Sequence, residues 1–202
     1  MKPLPRLYAI ADASFGDPIQ LAEALFNGGA RLVQVRNKKG SARELLRQVE
    51  RILSFAPHDA QVVVNDRVDV ALIAGAAGVH LGQADLPPAA ARQILGVDRI
   101  VGFSTHNLQQ ALEAAKQPVD YIAVGPIFAT ATKENPDPVA GVEKLASICK
   151  AIRKPVVAIG GIKLENAGEV LKAGASSIAV IADLLSAIDV EERVRQWIKA
   201  LI

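Results

Sequence analysis

Residues 62–85 of the chain read VVVNDRVDVALIAGAAGVHLGQAD, and this stretch decides the fold. An apolar run at 62–64 ends in Asn65-Asp66, a helical pattern follows at 68–74, and a second apolar run at 79–81 leads to Asp85. The pattern predicts a strand, a crossover helix and a second strand, and strands joined in this way lie parallel. Because the carboxyl ends of parallel strands open on one rim, we expect Asp66 and Asp85 to face a shared site.

The two aspartates have two interpretations. Two carboxylates at one rim suit Mg²⁺, a hard cation that takes oxygen ligands and usually accompanies phosphate. Alternatively, Asp66 caps a helix that begins near Val68, and Asp85 caps a helix that begins near Pro87. The stretch by itself favours neither interpretation, so the choice depends on the rest of the chain.

The composition bounds the class of protein. The chain has 202 residues, of which half are hydrophobic and only 4% are aromatic. This length suits one domain (residues 1–202), and a composition rich in Ala, Val, Ile and Leu is typical of a parallel sheet buried under helices. A net charge of +2 argues against nucleic acid or a membrane surface as a partner. With no long apolar run and no signal-peptide pattern, we expect a cytoplasmic protein.

Strand-like apolar runs alternate with helical patterns along the whole chain. The predicted strands lie at 7–10, 32–35, 62–64, 79–81, 100–103, 121–124, 156–159 and 178–181. The predicted helices lie at 18–27, 42–55, 68–74, 88–95, 108–115, 142–152, 166–173 and 190–201. Eight units of roughly 25 residues predict an α/β fold, a single (β/α)₈ TIM barrel. A doubly wound open sheet is the competitor, but it would more often carry a glycine fingerprint in the first turn, which here reads Ala-Asp-Ala-Ser.

Polar residues after the second and fifth predicted strands are candidates for anion binding, because barrel enzymes place their working residues there. Alternation along the strand puts Gln34, Arg36 and Lys38 on one side, which offers an amide and two cations to a polyanion. The alternative is a solvated basic turn. Ser104 could hold a phosphate oxygen or could cap the helix that follows it.

Two later segments carry further candidate phosphate ligands. The long irregular segment 125–140 carries Thr130, Thr132 and Lys133, which suit a phosphate clamp on a lid; a solvated polar loop is the alternative. Gly161 follows the seventh strand, and Ile181-Ala182 follows the eighth. Backbone N–H groups at these two turns often form a phosphate site in barrels.

Taken in order, these segments resemble the thiamine phosphate synthase family. The similar segments read QVRNK (34–38), NDRVD (65–69), GVHLGQ (78–83) followed by Asp85, STH (104–106), GPIF (125–128), TATK (130–133) and IGGI (159–162). Each segment alone is a weak signal, whereas the ordered set, which runs from Tyr8 to Ala187, is specific.

The resemblance implies a (β/α)₈ barrel that uses Mg²⁺ to join two small molecules, hydroxymethylpyrimidine diphosphate and a thiazole phosphate, by a dissociative route in which diphosphate leaves first. The roles that it implies are Asp66 and Asp85 as metal ligands; Arg36, Lys38, Ser104 and Lys133 as diphosphate ligands; Gln34 and Asn65 as pyrimidine ligands; and Thr130, Thr132, Gly161 and the Ile181-Ala182 backbone as thiazole phosphate ligands. A homodimer is left open.

The chain departs from the family pattern at two places, and two other functions compete. Ala182 stands where the family usually has Ser, and Ala11 stands where it more often has Thr. A related barrel, the thiazole tautomerase, resembles Gly-His-Val-Phe where this chain has Gly-Pro-Ile-Phe, so the catalytic imidazole is missing at Pro126. A non-catalytic phosphate sensor on the same barrel would not need two metal carboxylates and three cations.

Overall fold

The computed structural model describes residues 4–130 and 138–201. Its strands are β1 (Leu7–Asp12), β2 (Leu32–Arg36), β3 (Gln61–Asn65), β4 (Gly78–Leu81), β5 (Ile100–Thr105), β6 (Tyr121–Val124), β7 (Val156–Ile159) and β8 (Ser177–Val180). Its α-helices are α1 (Pro18–Asn27), α2 (Ala42–Leu53), α3 (Val68–Ala74), α4 (Pro88–Leu95), α5 (Leu108–Ala115), α6 (Gly141–Ala151), α7 (Ala167–Lys172), α8 (Ala182–Leu185) and α9 (Val190–Ala200).

The strands form a closed barrel in sequence order. Each strand pairs in parallel with the next one, and β8 pairs in parallel with β1 to close the ring. The predicted (β/α)₈ barrel is therefore confirmed, and the open sheet is excluded. All the strand ends that carry the candidate residues open on one rim, which we call the mouth.

One helix differs from the sequence prediction. The eighth predicted strand ends at Val180 rather than Ile181, and the short helix α8 begins at Ala182. A helix of four residues has little more than one turn and shows no apolar periodicity that could reveal it in a sequence. A 3₁₀ turn at Leu164–Asn166 similarly precedes α7.

The core has two layers because side chains alternate across each strand. The larger layer lies between the strands and the surrounding helices. The inner layer fills the barrel and consists of Tyr8, Ile10, Leu32, Val63, Ile100, Tyr121, Ala123, Val157 and Ala179. Polar Gln34 and His80 are also buried, at 3% and 9% exposure. The inner layer is therefore polar toward the mouth.

Candidate active site

Asp66 and Asp85 meet at the mouth. Asp66 directly follows β3, and its amide donates to the carbonyl of His80 on β4 at 2.8 Å. Among the described residues it is the one non-glycine residue with a positive φ, 62°. This uncommon backbone conformation places Asp66 close enough to Asp85 for its charge to raise the pKa of the Asp85 carboxyl. The helix-cap alternative is wrong for both residues, since the N-caps of α3 and α4 are Arg67 and Pro87, without side-chain cap bonds.

The electrostatics of this pair favour a cation. Burial raises the pKa of Asp85, and the charge and hydrogen bond of Asp66 raise it further, whereas the Gly82 amide and the Lys38 charge lower it. The Gly82 amide donates to Oδ2 of Asp85 at 2.7 Å, which fixes that side chain. Lys38 Nζ lies 3.2 Å from Oδ2 of Asp66. Two carboxylates held this close, with one ammonium beside them, form a site that a divalent cation would stabilise.

Arg36 is held at the mouth by a buried acid. Its guanidinium forms an ion pair with Oδ2 of Asp12, at the end of the neighbouring strand. The other oxygen of Asp12 accepts from the amide and the hydroxyl of Ser14 at 2.9 and 2.8 Å. Asp12 is only 2% exposed, so its carboxylate is a fixed support for Arg36. The alternative interpretation, a solvated basic turn, is therefore wrong for Arg36.

Gln34 and Ser104 are the two ends of a hydrogen-bonded chain that crosses the barrel. Nε2 of Gln34 donates to the Tyr8 hydroxyl at 2.9 Å, and the Tyr8 and Tyr121 hydroxyls are 2.9 Å apart. The Tyr121 hydroxyl is 2.9 Å from Nδ1 of His80, and Nε2 of His80 is 2.8 Å from the Ser104 hydroxyl. Ser104 therefore does not cap α5, whose N-cap is Asn107.

Burial sets the ionisation of His80 and Tyr8 in this hydrogen-bonded network. It lowers the pKa of His80 to about 4, although the charge of Asp66 opposes the shift. It raises the pKa of Tyr8 to about 12, although hydrogen bonds to Tyr121 and Gln34 oppose that shift. Both groups are therefore neutral at physiological pH.

The segment after β6 is anchored to the end of β7. The amides of Ile127 and Phe128 donate to the carbonyls of Ile159 and Gly160, each at 2.9 Å. Gly161 has a φ of 64°, and a Cβ there would lie 2.4 Å from the carbonyl oxygen of Ala129. This packing explains why residue 161 is glycine. The predicted contact of the Gly161 backbone with phosphate is not needed for that explanation and stays a prediction.

Ile181 and Ala182 lie at the start of α8, after β8. Ala182 is exposed, and Ile181 is the N-cap residue. The helix is braced from behind, because the Asp183 carboxylate accepts from Arg193 at 2.9 Å and from the Trp197 indole at 2.7 Å, both on α9. The backbone that the sequence assigned to phosphate is thus firmly supported.

The remaining predicted residues divide into two groups. Asn65 ends β3, is 8% exposed and lies beside the aspartate pair, and Thr130 lies at the end of the described loop. Thr132 and Lys133 lie outside the described residues, so their predicted roles stay predictions.

Sequence reasoning missed the supporting residues of the site. Asp12 has no predicted role, and Tyr8 and Tyr121 are predicted only as members of the strands at 7–10 and 121–124. The signal for Asp12 was available, since it alternates with Tyr8 and Ile10 and ends β1 at the mouth. The hydrogen bonds between distant strands had no sequence signal.

The donor set fits Mg²⁺ bound together with a phosphate ligand. No cluster of three or more metal-binding side chains occurs within residues 4–130 and 138–201. Mg²⁺ typically takes one or two carboxylates plus phosphate oxygens and water, and the Asp66–Asp85 pair supplies those two carboxylates. Lys38 and Arg36 nearby suit the negative charge of that phosphate.

Comparisons with known proteins show the family to which this chain belongs. Residues 7–184 match the family model described as thiamine monophosphate synthase. The chain belongs to the thiamine monophosphate synthase family. Its activity is accordingly that of a thiamine-phosphate synthase, a transferase of thiamine biosynthesis that acts on small molecules.

Individual members of the thiamine monophosphate synthase family are similar over nearly their whole length. The thiamine-phosphate synthase of Koribacter versatilis is 48% identical over 98% of this chain and 96% of the relative, and that of Chlorobium phaeovibrioides is 46% identical over 88% and 85%. The solved thiamine phosphate pyrophosphorylase of Pyrococcus furiosus superposes with a TM-score of 0.89 at 37% identity, covering 97% of this chain and 95% of that one. No helix in the described part of the chain is long and apolar enough to cross a membrane.

Proposed function

We propose that the mouth of this barrel joins hydroxymethylpyrimidine diphosphate to a thiazole phosphate, with Mg²⁺ held between Asp66 and Asp85. The observation that carries the proposal is the carboxylate pair itself: the charge of Asp66 raises the pKa of Asp85, and Nζ of Lys38 lies 3.2 Å from Oδ2 of Asp66. Bringing two carboxylates together costs electrostatic free energy, and a cation bound by both of them offsets that repulsion.

The leaving group is held by cations and a hydroxyl. Arg36, kept in place by Asp12, offers its guanidinium to one phosphoryl group, and Lys38 turns from Asp66 to a second one. Ser104 donates its hydroxyl to a diphosphate oxygen, and Lys133 is the third cation of the proposal. Bound Mg²⁺ would supply further neutralisation of the negative charge that develops as diphosphate departs.

The reaction is a substitution in which the leaving group departs first. The bond between the pyrimidine methylene carbon and the diphosphate oxygen breaks, and its electron pair goes to the oxygen. The thiazole nitrogen then donates its lone pair to the methylene cation and forms the new carbon–nitrogen bond. Gln34 and Asn65 hold the pyrimidine over the mouth while the charge separates. The diphosphate ligands stabilise the departing oxygen, and none of the proposed site residues supplies a nucleophile.

The thiazole phosphate takes the other side of the mouth in this proposal. Its ligands are Thr130, Thr132, and the backbone of Gly161, Ile181 and Ala182. The rigid support of α8 by Asp183 favours such a site, because donors fixed in advance need no reorganisation on binding. With Ala182 in place of the usual serine, one hydroxyl ligand is lost, which weakens binding by about 1–3 kcal/mol.

The assembly and location complete the proposal. We propose a homodimer, which is supported by the exposed apolar side chains Ile73 and Ile94, 68% and 45% exposed, on the neighbouring helices α3 and α4. Light scattering after size exclusion tests it.

The proposed location is the cytoplasm, because the charge of the phosphorylated substrates keeps them from crossing the cell membrane.

A matched pair of aspartate variants tests the function. Asp85→Asn removes one carboxylate of the pair, while Asp69→Asn changes an exposed acid that pairs with Arg67 near the site. On mixing both substrates with Mg²⁺, we expect Asp85→Asn to slow diphosphate release by about a hundredfold and Asp69→Asn to change it by less than about twofold.

The alternative functions give different results in the same assay. Substrate binding without diphosphate release by the wild-type protein would support a sensor and contradict the proposal. Isomerisation of the thiazole phosphate without consumption of the pyrimidine would support a tautomerase. Full activity of Asp85→Asn would exclude the proposed metal site while leaving the transferase activity in place.

A further inference from the structure

Five polar side chains form a continuous chain through the barrel interior: Gln34, Tyr8, Tyr121, His80 and Ser104. They come from β2, β1, β6, β4 and β5, and the four hydrogen bonds that join them measure 2.8–2.9 Å. Barrel interiors are usually filled by branched aliphatic side chains, and buried polar groups cost free energy unless they are fully paired. No buried side-chain polar atom in the described residues lacks a partner. The chain is therefore a complete network that ends at the mouth on both sides.

The aromatic members of this chain are held rigidly. The Tyr8 and Tyr121 rings meet edge to face with centroids 5.9 Å apart, and the His80 and Tyr121 rings stack at 5.6 Å. Gly102 makes room for Tyr121, since a Cβ there would lie 2.1 Å from Cζ and 2.3 Å from the hydroxyl oxygen. Because the rings cannot turn, the hydrogens are the parts of the network that have two possible arrangements.

The directions of these hydrogens are linked from end to end. A neutral imidazole has one donor nitrogen and one acceptor nitrogen, and each tyrosine hydroxyl has one hydrogen to donate. When Ser104 donates outward to an anion, it accepts from Nε2–H of His80, so Nδ1 accepts from Tyr121. Tyr121 then accepts from Tyr8, and Tyr8 accepts from Nε2 of Gln34. The amide nitrogen of Gln34 is used inside the barrel, and its oxygen is the atom offered to the substrate.

We propose that this five-residue network, which we call the relay, couples the two halves of the diphosphate substrate: an anion at Ser104 fixes Gln34 as a hydrogen-bond acceptor for a donor group on the pyrimidine. The inference rests on the proposed function. Tyr8, Tyr121 and His80 are positioning residues in it, because they touch the groups that hold the substrate and not the substrate itself. A substrate that lacks either the anion or the pyrimidine donor leaves one end of the relay without its hydrogen-bond partner.

Reversing one end of the relay tests the coupling. In Gln34→Glu an ionised carboxylate cannot donate, so the Tyr8 hydroxyl must donate to it. Every hydrogen then reverses, and the Ser104 hydroxyl is drawn inward to Nε2 of His80 instead of pointing to the anion. The probe is inorganic diphosphate with Mg²⁺, and its affinity is measured by calorimetry at about pH 8.5, where the carboxyl is ionised.

Cutting the relay separates this effect from simple charge repulsion. Tyr121→Phe keeps the ring but removes the hydroxyl. Repulsion between the introduced carboxylate and the diphosphate then persists, but the reversal of hydrogen-bond directions cannot extend to Ser104. We expect Gln34→Glu to weaken diphosphate binding about tenfold in the wild-type background and about threefold or less beside Tyr121→Phe. Tyr8→Phe cuts the relay at a second place and serves if Tyr121→Phe does not fold. The control background is Ser177→Ala, which loses a buried hydroxyl bond to Pro5 at the opposite end of the barrel; there the cost should stay about tenfold.

The outcomes are distinct. An equal cost of Gln34→Glu in the wild-type, Tyr121→Phe and Tyr8→Phe backgrounds overturns the relay and leaves the proposed function intact. A wild-type protein that does not bind diphosphate with Mg²⁺ refutes the proposed function and the relay with it. A cost that falls in both tyrosine backgrounds but not beside Ser177→Ala supports the relay, because a general loss of stability would not be confined to those two hydroxyls.

Discussion

Lys38 Nζ lies 3.2 Å from Oδ2 of Asp66, so its ammonium pairs with one of the two carboxylates that are the proposed metal ligands. The same side chain is one of the cations that we propose to bind the diphosphate. Lys38 therefore has two partners in the proposed cycle, Asp66 before the metal binds and the diphosphate afterwards. The two roles have opposite consequences for metal and substrate affinity.

The variant Lys38→Gln separates these roles. Removing the ammonium leaves the aspartate pair more negative, so we expect half-saturation at a Mg²⁺ concentration about threefold lower or less. The diphosphate loses a charged hydrogen bond, so KM for the pyrimidine substrate should rise by about tenfold. Steady-state rates over a matrix of Mg²⁺ and substrate concentrations measure both. Lys39→Gln, one residue further along, is the matched control; an equal effect there would assign the change to general surface charge.

The support of Arg36 by Asp12 gives a second prediction. Asp12→Asn removes the charge that fixes the guanidinium, so we expect kcat/KM to fall by about tenfold and the free energy of unfolding to fall by about 1–3 kcal/mol. Ser14→Ala loses only one of the two bonds to the other Asp12 oxygen and should change kcat/KM by less than about threefold. Initial rates and urea unfolding test both variants. Unchanged kinetics in Asp12→Asn would mean that Arg36 needs no fixed support.

The close approach of Tyr121 to Gly102 predicts a large loss of stability. A Cβ at 102 would lie 2.1 Å from Cζ of Tyr121, a ring that is fully buried and cannot withdraw, so Gly102→Ala should cost about 3 kcal/mol or more. Gly168→Ala in α7 meets no atom within 4 Å and should be neutral or stabilising by up to about 1 kcal/mol. Urea unfolding compares the two. Similar stabilities would contradict the packing described for the barrel interior.

The contact between Gly161 and the loop after β6 can be tested in the same way. Gly161→Ala combines a φ of 64° with a Cβ placed 2.4 Å from the Ala129 carbonyl, whereas Gly75→Ala has a φ of 73° and open space. The Gly75 variant should lose about 1–2 kcal/mol of stability and keep its kinetics. The Gly161 variant must also displace the loop, so KM for the thiazole phosphate should rise by about tenfold or more. Kinetics that are unchanged in Gly161→Ala would remove the loop from the thiazole site.

The sequence predicted the barrel and the position of the mouth because both follow from local periodicity. Alternating apolar runs and helical patterns are repeated along the chain, and an acid or a cation directly after a strand reaches the mouth in any such fold. The prediction that Asp66 and Asp85 come together depended only on this topology. In the structure the two carboxyls are close enough for the charge of Asp66 to raise the pKa of Asp85.

The features that the sequence did not reveal depend on contacts between distant strands. The hydroxyls of Tyr8 and Tyr121 meet across 113 positions of sequence, and no local pattern distinguishes them from apolar core residues. The helix α8 is too short to show a period. The role of Gly161 in packing against Ala129 likewise required the positions of two loops in space, so sequence reasoning assigned that glycine to an anion alone.

Anomalous diffraction from crystals grown with Mn²⁺ and diphosphate tests the central claim most directly. Mn²⁺ takes the same oxygen ligands as Mg²⁺ and gives an anomalous signal that locates the ion. We expect one peak with carboxylate oxygens of both Asp66 and Asp85 at about 2.1 Å and diphosphate oxygens completing the coordination. A peak bound elsewhere, or bound to diphosphate with neither aspartate in contact, would contradict the account.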